Sequence, residues 1–246
     1  MPSFLQNHPF PVVTHFEHSL VLTYAVPVEL LTGKLPPCLV PDTYQEQWAF
    51  VAMAVVQAKN LRPRGFPEWL GHDFTLAGYR VFVRYTTSQG KRLRGLYILK
   101  SETDKKSMSF LGNIFTQYRY TTTDIQFARE NQSYAFRSVA SDWKIRISKY
   151  PGEASLPPGS PFKDLKEARH FAGPLPFTFH FNERKHKVLI IEGVRQNWIP
   201  QPVQVLEARI SWIDAFCNGR AQLANAFMIQ DIPYYWKKGR TDLWKP

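Results

Sequence analysis

The alternation of apolar and polar residues along the chain predicts a protein built mainly from β-strands. The clearest run covers residues 79–85, in which Arg80 and Arg84 share one face because side chains alternate along a strand. A second apolar run covers residues 93–100, and the loop between the two runs contains Gly90. Two such runs joined by a glycine-containing loop indicate a β-hairpin, which we place at the centre of the predicted fold.

Further strands and a few short helices are predicted on both sides of this hairpin. Residues 48–56 are apolar at almost every position, which indicates a strand buried on both faces. Residues 134–139 and 143–147 alternate and predict a second hairpin with one exposed face. The other predicted strands cover residues 15–24, 117–127, 177–181, 187–192 and 203–212, and the predicted helices cover residues 28–31, 107–111, 162–171 and 218–226. Many short strands with few helices favour an α+β or barrel fold that is predominantly antiparallel β.

The composition is that of a folded globular protein. The 246 residues are 44% hydrophobic and 15% aromatic, which is enough apolar material for a full core. Strand patterns continue on both sides of the proline-rich residues 150–161, so we expect one domain over residues 1–246. No apolar run reaches the length of a membrane span, and the first nine residues do not resemble a signal peptide. Because two cysteines cannot form a disulfide framework, we expect a cytoplasmic protein without a membrane partner.

The chain is strongly basic, with a formal net charge of +11 at pH 7. Such a charge permits nucleic acid, an acidic surface or a small anion as partner. The lysines and arginines are scattered, however, and no nucleic-acid-binding signature accompanies them. We therefore expect no nucleic-acid partner, and we keep the basic surface as an alternative explanation.

Arginine inside an apolar strand is the strongest sign of a binding site. A buried charge without a partner is costly, so such a side chain must reach water, a carboxylate or a ligand. Arg84 is the better candidate for reaching solvent or a local acid. Arg80 follows Gly78 and precedes apolar residues, which makes it the better candidate for a pocket that holds an anion, for instance a carboxylate.

Motifs for metal, nucleotide or nucleophilic chemistry are missing from the sequence. It contains no His-Glu-x-x-His, paired-cysteine, P-loop, Gly-x-Gly-x-x-Gly or Gly-x-Ser-x-Gly pattern. His15, Glu17 and His18 form the densest group of metal-ligand residues, but His18 points away from the other two on a strand. We expect no metal and no cofactor.

A family resemblance rests on segments that follow one another in order. These segments are residues 24–31, 35–39, 62–67, 80–84, 95–99, 181–184 and 198–200. Together they resemble the YqjF-like family of unknown function, within the acetoacetate-decarboxylase-like superfamily. The resemblance implies a closed, cone-shaped barrel of antiparallel strands with short peripheral helices, and a pocket inside the cone. Self-association is common in this superfamily, so the resemblance also implies a possible homo-oligomer.

The same resemblance argues against decarboxylase chemistry. Acetoacetate decarboxylases use a Schiff-base lysine with a second lysine beside it, in a desolvated site that follows a helix. The corresponding residues 110–118 include Asn113 and Tyr118 and contain no lysine, whereas Lys105 and Lys106 lie earlier in an acidic turn. An arginine–glutamate pair of the first strand is replaced by Glu17 and His18, and a glutamate of the second strand falls at about Val51. We therefore expect no Schiff-base chemistry.

The remaining candidate pocket residues come from positions that match the family. Glu183 and Arg184 lie in one of the matching segments, where Glu183 could bind a ligand or pair with Arg80. Tyr97 and Tyr118 could supply hydroxyl groups, although packing in the core is the commoner role of such residues. The first hypothesis is a barrel that binds a small anionic molecule. The alternatives are an acid–base enzyme that uses Glu183 and tyrosines, and a nucleic-acid-binding or interaction protein that uses the basic surface.

Overall fold

The computed structural model describes residues 5–150, 154–173 and 175–245. Residues 151–153 of the predicted proline-rich loop and residues 1–4 of the N-terminal segment lie outside this described part. The strands are β1 Val12–Pro27, β2 Leu39–Pro41, β3 Trp48–Pro63, β4 His72–Thr86, β5 Arg92–Thr103, β6 Tyr120–Thr122, β7 Gln126–Arg129, β8 Ser133–Ser138, β9 Trp143–Ser148, β10 Phe177–Asn182, β11 Lys187–Arg195, β12 Gln201–Pro202, β13 Val205–Ile210, β14 Gln222–Trp236 and β15 Arg240–Leu243. The α-helices are α1 Lys106–Phe115, α2 Leu165–Phe171 and α3 Ser211–Phe216.

Seven strands form a ring of hydrogen-bonded neighbours. The order is β14, β1, β3, β4, β5, β10 and β11, and β11 pairs again with β14 through residues 193–195 and 234–236. All of these pairs are antiparallel except β5 with β10, so the fold is α+β and predominantly antiparallel, as predicted. The predicted central hairpin is confirmed as β4 and β5, which are joined by the loop that contains Gly90.

The second sheet, in the order β13, β9, β8 and β7, packs against one face of the ring strands. This face carries Tyr79 and Val81 of β4, and we call it the Tyr79 face. The predicted second hairpin is confirmed as β8 and β9 of this sheet, and Trp143, Ile145 and Ile147 are its buried face. The alternating pattern therefore predicted the burial correctly, because one face of this sheet meets the main core.

The opposite face of the ring strands carries Arg80 and Phe82 of β4, and we call it the Arg80 face. Two helices pack on it at opposite ends of the strands: α1 lies over the end with Phe16, and α2 lies over the end with Ala25 and Phe50. Because the second sheet covers the Tyr79 face, the Arg80 face is the one that lines the inside of the ring. Strand β3 separates the two cores, which explains why it is apolar on both sides.

Two segments differ from the prediction. Residues 218–226 were predicted to be helical, but Asn218 and Gly219 adopt left-handed backbone angles that end α3, and the chain then enters β14. Residues 117–127 were predicted to be one strand, but the left-handed Arg119 precedes a short β6, and an irregular segment separates β6 from β7. The short helix predicted over residues 28–31 is present at these bounds as a 3₁₀ helix.

None of the helices in the described part of the chain is long and apolar enough to span a membrane.

Candidate functional site

Arg80 lies inside the ring without a carboxylate partner. No described residue accepts a hydrogen bond from its guanidinium group, and its Nε atom is buried and unpaired. Burial, with a smaller contribution from the positive charge of Arg195, lowers the pKa of Arg80 from 12.5 to about 10, although Tyr234 acts in the opposite direction. The side chain is only half-buried by accessible surface. A side chain that borders an internal space can have both a pKa lowered by burial and some accessible surface. The pKa remains far above 7, so Arg80 is charged at neutral pH.

Arg195 is a second arginine with unpaired groups at this site. It lies at the end of β11, and its Nε and Nη1 atoms are buried and lack partners among the described residues. Only its Nη2 atom donates, to the carbonyl oxygen of Leu175 at 3.2 Å. Its guanidinium carbon lies 4.0 Å from the ring centre of Trp198. Two like charges in a desolvated region repel each other, and a shared anion would relieve this repulsion.

Three tyrosines surround the arginine pair. Tyr118 follows α1, and its hydroxyl group lies near the side chain of Thr178. Tyr120 begins β6, and Tyr234 lies in β14 opposite Arg195. Burial raises the pKa of Tyr118 and Tyr120 well above the usual range, so both hydroxyl groups stay protonated at neutral pH. The site therefore offers guanidinium and hydroxyl donors to a negatively charged group.

Local sequence places these tyrosines. Asn113 of α1 fixes the backbone of Tyr120, because its Oδ1 accepts from the Tyr120 nitrogen at 2.7 Å and its Nδ2 donates to the Tyr120 oxygen at 2.9 Å. Gly112 leaves room for the Tyr120 ring, since a Cβ atom there would lie 2.4 Å from it. Gly193 does the same for Tyr234, whose hydroxyl would lie 1.9 Å from such a Cβ atom.

The residues predicted from the sequence lie in different parts of the molecule. Arg80 and Tyr118 meet inside the ring, and Asn113 acts on the backbone of Tyr120. Tyr97 packs in the core on the Tyr79 face. Arg84 lies 3.2 Å from Asp42 Oδ1, so it has a local acid as its partner.

Glu183 and Arg184 lie apart from the site. Both are exposed in the 3₁₀ turn Glu183–Lys185 between β10 and β11, so the ion pair considered between Glu183 and Arg80 does not form. The hairpin between β10 and β11 extends past residues 177–179, which pair with β5, and its turn is exposed. The sequence analysis did not select Arg195, Tyr120 or Tyr234. For Arg195 a signal was available, because this arginine ends the apolar run of β11.

The other potentially reactive side chains are buried or contact neighbouring residues. Burial raises the pKa of Cys38 and of Cys217 to about 11, so both remain thiols at neutral pH. His15 contacts Asp231 at 2.7 Å, and the His18 ring packs beside Phe127. Within residues 5–150, 154–173 and 175–245, no three side chains of His, Cys, Asp or Glu are grouped to hold a metal ion.

The ring of strands matches solved structures that share one fold. The structure superimposes on acetoacetate decarboxylase from Legionella pneumophila with a TM-score of 0.59 and 11% identity, over 95% of this chain and 87% of that one. An acetoacetate decarboxylase-like enzyme from Sphingomonas wittichii RW1 gives a TM-score of 0.58 and 10% identity, over 100% and 97% of the chains. The enduracididine biosynthesis enzyme MppR gives 0.57 and 12%, over 95% and 89%. The fold is therefore acetoacetate-decarboxylase-like.

The sequence itself assigns the family. The uncharacterized conserved protein family DUF2071 (COG2071) matches residues 14–218, and the chain belongs to this family. Comparison with curated proteins finds no match. At 10–12% identity, the solved structures establish the fold and do not assign a reaction.

Proposed function

We propose that the protein binds a small anionic molecule inside the ring, between Arg80 and Arg195. The observation that carries this proposal is a pair of arginines with buried guanidinium nitrogens, Nε of Arg80 and Nε and Nη1 of Arg195, that lack acceptors in the described part of the chain. A carboxylate or phosphate could accept from both side chains, and Arg favours such planar contacts. MppR, which shares this fold, has been solved with the condensation product of pyruvate and imidazole 4-carboxaldehyde, which supports a small-molecule site.

The proposal includes the finer features of the sequence resemblance. We propose that the chain is YqjF-like, forms one cytoplasmic domain and needs no cofactor. The acid–base alternative loses support because Glu183 is exposed rather than inside the ring. The alternative that uses the basic surface predicts salt-sensitive binding of nucleic acid instead of a small anion.

A thermal-shift screen tests this proposal. Wild type and Arg80→Ala are compared with a library of carboxylates and phosphates, together with single-stranded and duplex DNA. A ligand at about 100 times its dissociation constant adds roughly 2.7 kcal/mol to the free energy of unfolding. We expect an anion to stabilise wild type and not Arg80→Ala. Stabilisation by DNA alone, lost at high salt, would favour the basic surface.

We also expect no Schiff base with acetoacetate. Lys105 and Lys106 are exposed at the start of α1, whereas a Schiff-base lysine needs a desolvated site that keeps its amine uncharged. Incubation with acetoacetate and borohydride, followed by intact-mass measurement, should leave the mass of the protein unchanged. A stable adduct that maps to a single lysine would refute this expectation, and a known acetoacetate decarboxylase serves as the positive control.

A further inference from the structure

A large apolar cavity lies beside the arginine pair. Its volume is about 480 Å³, and it is enclosed by α1, the N-terminal segment and the ends of β1, β3, β4 and β14. Most of its lining consists of hydrocarbon and aromatic groups such as Phe16, Val56, Leu76, Leu111 and Trp236. The volume lies in the range of about 300–1,000 Å³ that is typical of small-molecule sites.

Two polar side chains at the cavity wall, Arg62 and His8, are already bonded or uncharged. The Arg62 guanidinium donates to Glu68 at 3.0 Å, and also to the carbonyl oxygens of Phe66 and Asn60. Burial lowers the pKa of His8 to about 4, so this side chain is neutral at pH 7. The cavity therefore suits an apolar chain or ring and offers little to a charged group.

The cavity and the arginine pair adjoin each other. Tyr118 and Tyr120 line the cavity, and both also affect the pKa of Arg80. Phe16 lines the cavity as well, and its ring stacks on Tyr234 with 4.6 Å between ring centres. The Tyr234 ring in turn lies 5.7 Å from the guanidinium carbon of Arg195, so these aromatic residues connect the cavity to the arginine pair.

We infer that the cavity and the arginine pair are two halves of one binding site, and that its ligand is an amphipathic acid. The acid group lies at Arg80 and Arg195, and the apolar chain or ring fills the cavity. This inference rests on the proposed function, because it assumes that the arginines hold the anionic group. Phe66 and Leu70 line the cavity and are also exposed, which places its mouth at the loop between β3 and β4.

Calorimetric titration with straight-chain alkanoates of two to ten carbons tests this inference. In wild type the dissociation constant should fall by roughly three- to fourfold for each added methylene group, until the cavity is full. Leu111→Trp and Leu76→Trp place a large ring in the cavity from a helix and from a strand, so two independent variants guard against misfolding. Phe110→Trp is the matched control, because Phe110 lies on the same helix as Leu111 and is 63% exposed.

The outcomes separate the two proposals. Loss of the chain-length dependence in both filled variants, but not in Phe110→Trp, supports the inference. Binding of short acids that needs Arg80 but does not tighten with chain length overturns the inference and leaves the proposed function in place. A chain-length dependence that is unchanged in Arg80→Met contradicts both, because the acid group would then not lie at the arginines.

Discussion

Replacing Arg80 with methionine is expected to stabilise the free protein and to abolish the binding of anions. Burial lowers the pKa of Arg80 from 12.5 to about 10, which corresponds to about 3 kcal/mol against the charged form. Methionine fills a similar volume without a charge, so the free energy of unfolding should rise by about 1–3 kcal/mol. Urea denaturation without ligand measures this gain. Affinity for the anion should fall by about 100-fold or more, because a charge-assisted contact is lost.

Arg84→Met is the matched control, since Arg84 lies on the same strand and the same face. Its guanidinium lies 3.2 Å from the Oδ1 atom of Asp42, whose side chain is only 4% exposed. Removal of Arg84 leaves Arg94 as the remaining partner of Asp42, at 2.7 Å, and should destabilise the protein by about 1–2 kcal/mol. The two substitutions should therefore change stability in opposite directions. Destabilisation by Arg80→Met, with unchanged anion binding, would mean that Arg80 has a structural role.

Glu102→Ala is expected to cost about 3–5 kcal/mol of stability, because it leaves a buried network without its centre. The Glu102 carboxylate lies 2.6 Å from the Lys100 nitrogen, and it accepts hydrogen bonds from Tyr79 at 3.2 Å and from Ser141 at 2.7 Å. Ser141 belongs to the loop between β8 and β9, so the network joins the second sheet to the ring. Its loss should lower the urea midpoint strongly, with no direct effect on the arginine pair.

Glu207→Ala is the control for this prediction. Glu207 pairs with Lys144 at 2.9 Å, but its side chain is 36% exposed, and such ion pairs contribute at most about 1 kcal/mol. A loss for Glu102→Ala no larger than that for Glu207→Ala would show that the buried carboxylate does not join the two sheets.

The sequence pattern predicted the hairpins of the fold, because neighbouring residues determine them. The β4–β5 and β8–β9 hairpins follow from alternation and from short loops. Residues 218–226 were predicted wrongly, because the apolar spacing of Leu223, Ala226 and Phe227 fits either period, and pairing with β1 decides for the strand. The return of β14 to β11 depends on residues about 40 positions apart, which no local pattern contains.

The prediction of the site from the sequence has the same limit. Arg80 could be selected from the sequence because it interrupts an apolar strand. Arg195 could not be linked to it, since their proximity depends on the ring of strands. Glu183 was selected from its position in a matching segment, and the structure places it in an exposed turn. The cone shape implied by the resemblance stays a prediction.

Nitrogen NMR of the arginine side chains tests the central claim most directly. The Nε–H resonances of Arg80, Arg195, Arg84 and the exposed Arg92 are assigned by single Arg→Lys substitutions, and the protein is titrated with acetate, octanoate and inorganic phosphate. We predict that one of these anions shifts the Arg80 and Arg195 signals together, with a single dissociation constant, and leaves Arg84 in place beside Asp42. Movement of Arg92 alone, with Arg80 and Arg195 unchanged under all three anions, would contradict an anion-binding site inside the ring.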